Sequence, residues 1–173
     1  MDSHSGATPA PFGRCSIDQE TIIQYIEDTF AGVEVLRPDD GPGADDTFFF
    51  TASQRNVDPT RRMPFATIVT KDYGDFDSAS QLDRPGVFRL NIGVSRETFR
   101  TLFGYLPGKE NMENAEYDYA ALDKLMPHPV YAPQSFVCVL NPSAETFETI
   151  KPLLAEAWSI VEARHSKRQT DHD

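Results

Sequence analysis

In Val87-Phe-Arg-Leu-Asn-Ile-Gly93, apolar Phe88, Leu90 and Ile92 alternate with Arg89 and Asn91. Alternate side chains of a strand leave by opposite faces, so a guanidinium and an amide share one face while the apolar residues take the other. Such a pair can fix a carboxylate or phosphate, the Arg through its bidentate fork. The same fork can instead tie a loop acid, such as Asp83 or Asp72, to the sheet. His128 lies between Pro127 and Pro129, just ahead of Tyr131, in a turn the prolines stiffen. An imidazole fixed there can act as general acid or base near neutral pH. Arg89 and Asn91 are therefore the expected ligand-binding residues, with Lys71 or Arg84 helping to neutralise the ligand, and His128 and Tyr131 are the expected catalytic proton-transfer groups.

Other chemistries lose their footing on spacing. Asp72, Asp75 and Asp77 look like calcium ligands, but an EF-hand loop counted from Asp75 would need Gly where Ser80 stands and Glu where Gly86 stands. Cys15 and Cys138 are far apart and the histidines are scattered, so no zinc-finger ligand pair forms. There is no G-x-S-x-G elbow, and Gly41-Pro-Gly43 leads into acids rather than into a phosphate-binding Lys-Ser/Thr. No metal and no cofactor is expected, and both cysteines are expected as free thiols.

The elements that must position these residues follow from periodicity. Ser16-Ile-Asp-Gln19 has the spacing of a capping box, and Ile22, Ile26 and Phe30 then recur at helical intervals up to Gly32. Val33 to Leu36 and Thr47 to Thr51 read as a hairpin with a long Pro/Gly loop, and Phe65 to Thr70 and Val87 to Gly93 read as strands flanking an acidic loop. Ser95 caps a short helix ending at Gly104; a small helix is expected around Tyr119 to Met126 and a last strand over Ser135 to Leu140. Phe147, Ile150, Leu154, Trp158 and Val161 mark a terminal helix that Pro152 should kink or restart.

The chain has 173 residues, 39% of them hydrophobic, with 12 Phe, 6 Tyr and 1 Trp, enough for one domain with a core. The expected organisation is a disordered tail over residues 1–15, a single domain over 16–165 and a second disordered tail over 166–173. Sixteen Lys and Arg against 27 Asp and Glu give a net charge of -11, which disfavours nucleic acid as a partner. No leader pattern opens the sequence and no stretch approaches the about 20 apolar residues a bilayer span requires, so a cytoplasmic protein without a membrane partner is expected.

The blocks Arg62-Met-Pro-Phe-Ala-Thr-Ile-Val-Thr70, Leu82-Asp-Arg-Pro-Gly-Val-Phe-Arg-Leu-Asn-Ile-Gly-Val94 and Met126-Pro-His-Pro-Val-Tyr-Ala-Pro-Gln-Ser135 resemble an uncharacterised family of small bacterial, mostly actinobacterial, and fungal proteins, over about Ile22 to His165. The order of helix, strands, His-containing turn, strand and terminal helix with Leu153-Leu-Ala-Glu-Ala-Trp158 is more distantly similar to the MmcQ/YjbR superfamily. That likeness implies an α+β fold, an antiparallel sheet of about five strands backed by N-terminal and C-terminal helices.

The leading functional expectation is a small-molecule ligand, organic or anionic, bound between the polar sheet face and the His128 turn, in an accessory or tailoring protein of a specialised-metabolite pathway. Whether a reaction occurs is left open. The alternative is a nucleic-acid-binding or regulatory interaction module, using a basic strip of Arg55, Arg61, Arg62, Arg96 and Arg100. A third possibility is a protein partner of basic character meeting the acidic segment Glu110 to Asp123.

Overall fold

A computed structural model describes residues 15–38, 47–52, 63–113 and 115–170. The expected N-terminal tail through residue 14, the Gly41-Pro-Gly43 loop and Arg55, Arg61 and Arg62 lie outside these residues.

Helix α1 (Gln19–Thr29) opens two residues later than the capping box implies: its cap is Asp18, whose Oδ1 accepts from the Thr21 N–H at 2.8 Å. Ser16 is drawn away into a bridge with Ser143, beside a hydrogen bond from the Ile17 N–H to the Pro142 carbonyl. α1 buries Ile22, Ile23 and Ile26. Strands β1 (Val33–Leu36), β2 (Thr47–Ala52), β3 (Ala66–Val69), β4 (Arg89–Gly93), β5 (Met126–Pro127) and β6 (Phe136–Leu140) form one open sheet in the order β1-β2-β3-β4-β6-β5, every neighbouring pair antiparallel. The fold is α+β, with six strands rather than about five. The extra strand is the two-residue β5, too short to carry an alternation signal.

Register settles what each face presents. Phe48, Ile68, Leu90 and Val139 form one row across the sheet and Phe50, Ala66, Ile92 and Val137 a second. Against these rows pack α1, Phe99 of α2 (Arg96–Phe103), and Phe147, Ile150, Leu154, Ala157 and Val161 of α4 (Ala144–Thr170), giving one contiguous core. The other face carries Phe49, Thr67, Asn91, Cys138 and Met126 in one row and Thr47, Val69, Arg89 and Leu140 in the next. A smaller cluster of Val69, Leu82, Met126, Cys138 and Leu140 covers part of it.

Helix α2 has the expected ends, Ser95 Oγ accepting from the Thr98 N–H and Gly104 left-handed at φ 83°. Pro152 does not restart the last helix, which runs as one element to Thr170. The proline lies on the solvent side of α4, where the carbonyl its ring deprives of a partner can turn to water. The helix expected at Tyr119 to Met126 does not form. Asp118 Oδ1 accepts from the Ala120 N–H, and Asp123 is left-handed at φ 57° while its carboxylate accepts from the Ser143 N–H, local bonds that outcompete a helix. A short α3 (Lys109–Glu113) occurs upstream instead. Among the described residues no helix is long and apolar enough to cross a membrane.

Leu90 is fully buried mid-sheet. Leu90→Ala should lower stability by about 3 kcal/mol in urea denaturation, the cost of lost transfer energy plus a cavity.

Candidate functional site

A cavity of about 430 Å³ opens on the polar face, floored by β2, β3 and β4 and walled by the loop after β3 and the turn between β5 and β6. Arg89 lies at its base, fully buried, and its charge is met inside the protein. Nη1 donates to Asp77 Oδ1 at 2.9 Å and to Ser80 Oγ at 2.9 Å, Nη2 to Asp77 Oδ2 at 2.5 Å, and Nε to Asn91 Oδ1 at 2.8 Å. Burial pushes the Asp77 carboxyl up, but the hydrogen bonds and charge of Arg89 outweigh that and bring it below the usual carboxylate range. The bidentate fork is thus spent on a loop acid, and that acid is Asp77 rather than Asp72 or Asp83.

Local chain geometry delivers Asp77. The N–H of Tyr73 donates to the Asp77 carbonyl and the N–H of Asp77 to the Tyr73 carbonyl, closing a tight turn in which Gly74 takes φ 52°. The Tyr73 hydroxyl is hydrogen-bonded to Thr47 Oγ1 at the start of β2. Asp72 turns back into its own loop, accepting from the Leu82 N–H at 2.9 Å.

His128, Tyr131, Asn91 and Arg89 line this one cavity. His128 is buried, and its Nδ1 accepts from the N–H groups of Val130 at 3.0 Å and Tyr131 at 2.9 Å. With that lone pair taken, the neutral ring carries its proton on Nε2. Burial, reinforced by the Arg89 charge and partly opposed by Asp77, pushes the imidazole down to about 3, so the ring is neutral at physiological pH. Its chemistry in this setting is donation of one fixed hydrogen.

The rim is aromatic. Met63, Tyr73, Phe76 and Tyr131 are exposed by 62%, 41%, 64% and 43%, an unusual gathering of large apolar groups at one opening. The Phe76 and Tyr131 rings meet edge to face at 6.2 Å, and Tyr131 also contacts His128 and Phe136. Phe136 lies against the backbone of Gly93, where a Cβ would come within 3.1 Å of its Cζ, so a larger residue requires the ring to give by a few tenths of an ångström.

A family model described as a family of unknown function, DUF6194, matches residues 17–170. The chain belongs to the DUF6194 family. No curated protein and no solved structure matches it. The span shared with DUF6194 takes in every helix and strand and every residue lining the cavity.

The remaining candidates lie elsewhere. Arg84 donates to the carbonyls of Ser80, Gln81 and Ala120, bracing the loop from behind, and Lys71 is likewise not among the lining residues. Arg96 and Arg100 project from the exposed side of α2. Cys138 is a buried free thiol, pushed up to about 12 by burial despite the Arg89 charge, and Cys15 is a free exposed one. Among the described residues no group of three or more His, Cys, Asp or Glu could hold a metal ion. Sequence reasoning missed Asp77 as the partner of Arg89, and Thr67, Tyr73 and Phe76 as lining residues. Thr67 was within reach of it, since it sits two residues from Val69 on the strand that pairs with β4.

Two effects of pH follow. Unfolded His128 gains its proton near 6.5 and the folded ring only near 3, so between these values the unfolded state binds more protons and stability falls as pH falls. Urea midpoints of the wild type should decline across this window relative to those of His128→Asn. Asp77, lowered in the folded state from 3.8, contributes fully above that value and loses its contribution below it. Asp77→Asn, which leaves a buried guanidinium unmatched, should cost about 3–5 kcal/mol near neutral pH.

Proposed function

We propose that the chain binds a small, uncharged, largely apolar organic molecule in the cavity over Arg89, Asn91 and His128. The observation that carries this reading is a polar floor with no net charge among the described residues, beneath aromatic walls. Arg89 and Asp77 cancel each other in bidentate contact, His128 is neutral, and Phe49, Val69, Phe76, Tyr131 and Phe136 surround them. A mostly apolar concavity with a few fixed polar groups is the usual form of a small-molecule site, and its volume falls in the usual range.

Charge separates this reading from that of an anionic ligand. A carboxylate or phosphate entering the cavity would find the guanidinium already engaged and the Asp77 carboxylate beside it, so its lost hydration would go uncompensated. An uncharged molecule meets no such cost. In this reading Arg89 and Asn91 shape the floor, and His128 contributes a hydrogen-bond donor rather than a proton relay.

Nile red, uncharged and brighter in apolar surroundings, provides a direct test. Its fluorescence should rise and shift to the blue on titration with the protein. Phe76→Ala, which removes an exposed rim ring, should weaken the dye about tenfold, the worth of one well-packed aromatic contact, without moving the thermal transition. Gly93→Val, which crowds the Phe136 ring, should also weaken it. No fluorescence response from the wild type would count against the reading.

A further inference from the structure

Several polar groups on the cavity floor share one property: each keeps a hydrogen-bond donor that no side chain has taken. Asn91 has its amide orientation fixed, Oδ1 accepting from Arg89 Nε and Nδ2 donating to Thr67 Oγ1 at 3.0 Å, which leaves a second N–H. Thr67 Oγ1 accepts that bond and keeps its own hydroxyl hydrogen. Arg89 uses four of its five N–H groups on Asp77, Ser80 and Asn91, leaving one on Nη2. Asp77 takes one guanidinium N–H on each oxygen, which leaves each oxygen one further lone pair.

His128 is the most rigidly set of these donors. Two backbone N–H groups clamp Nδ1, so neither a ring flip nor the other tautomer is available without breaking both. Nε2 has no hydrogen-bond partner among the described residues, yet it is not among their buried unpartnered polar atoms, of which the one found is Trp158 Nε1. Since the ring lines the cavity, its N–H is open to what the cavity contains.

From this juxtaposition we infer that the ligand is a planar aryl carbonyl compound whose oxygen accepts from His128 Nε2–H and the neighbouring donors of Asn91 and Thr67, with its rings among Phe76, Tyr131 and Phe136. The inference rests on the reading of the cavity as a site for uncharged organic molecules and adds the group that is recognised. Aromatic walls favour a flat π-system through edge and offset contacts. Clustered donors favour a carbonyl, since a hydrocarbon leaves them unpaired. His128 is then the residue that sets specificity.

Three probes of one skeleton test this by calorimetric titration: 9-fluorenone, fluorene and fluorene-9-carboxylate. Fluorenone should bind about tenfold more tightly than fluorene, the scale of one well-placed hydrogen bond, and the carboxylate more weakly than fluorenone. His128→Asn keeps an oxygen that can accept from the turn N–H groups, while its shorter side chain draws the remaining donor back from the position of Nε2. It should bring the fluorenone-to-fluorene ratio close to one, by a loss of fluorenone affinity larger than any loss of fluorene affinity. A carbonyl stretch of bound fluorenone shifted to lower wavenumber in the wild type gives the same answer even if that variant does not fold. Equal affinity for fluorene and fluorenone, or an unshifted stretch, overturns the carbonyl inference while Nile red binding keeps the broader reading. Tighter binding of the carboxylate, or failure of both Nile red and the fluorene series to bind, overturns the two together.

Discussion

The contact between Arg89 and Asp77 is the constraint on which the polar half of the molecule depends. A buried ion pair adds little net stability over apolar residues of the same volume, because both ions must first be dehydrated. Its effect here is geometric. The loop from Lys71 to Val87 contributes only Leu82 and Val87 to the smaller apolar cluster, too little to fix its path. Two parallel bonds to a guanidinium that is itself fixed by Asn91 and Ser80 set the loop's height and orientation above the sheet. Tyr73 and Phe76 are carried with it into the cavity wall, and the Tyr73–Thr47 bond pins the loop's near end to β2.

The same contact decides the electrostatics of the cavity. An arginine beneath an open hollow would normally mean anion recognition; here Asp77 answers its charge within the protein. His128 is part of that neutrality. Burial and a nearby guanidinium both oppose a second proton on the ring, and two amide hydrogens occupy the lone pair that would receive it.

Period-two alternation made the division of β4 into two faces legible in the sequence, because that pattern survives whatever the strand packs against. The caps of α2 and the stripe of α4 were legible for the same local reasons. Less so was the choice of Asp77 among several acids in one loop, since it depends on a turn closed at Gly74 and on a hydroxyl of β2 distant in sequence. Pro152 misled because its effect depends on facing solvent, and the segment after Tyr119 misled because Asp118 and Asp123 form local bonds that hydrophobic spacing does not reveal. The aromatic rim was hidden too: Phe76 and Tyr131 sit in separate loops with no shared periodicity.

At one margin of the sheet, β5 comprises Met126 and Pro127, and Pro127 brings no amide hydrogen. A stub so short, ending on an imide, offers an incoming strand almost no ladder to extend. Strand addition is therefore disfavoured at the β5 margin, beside the turn that carries His128 and Tyr131.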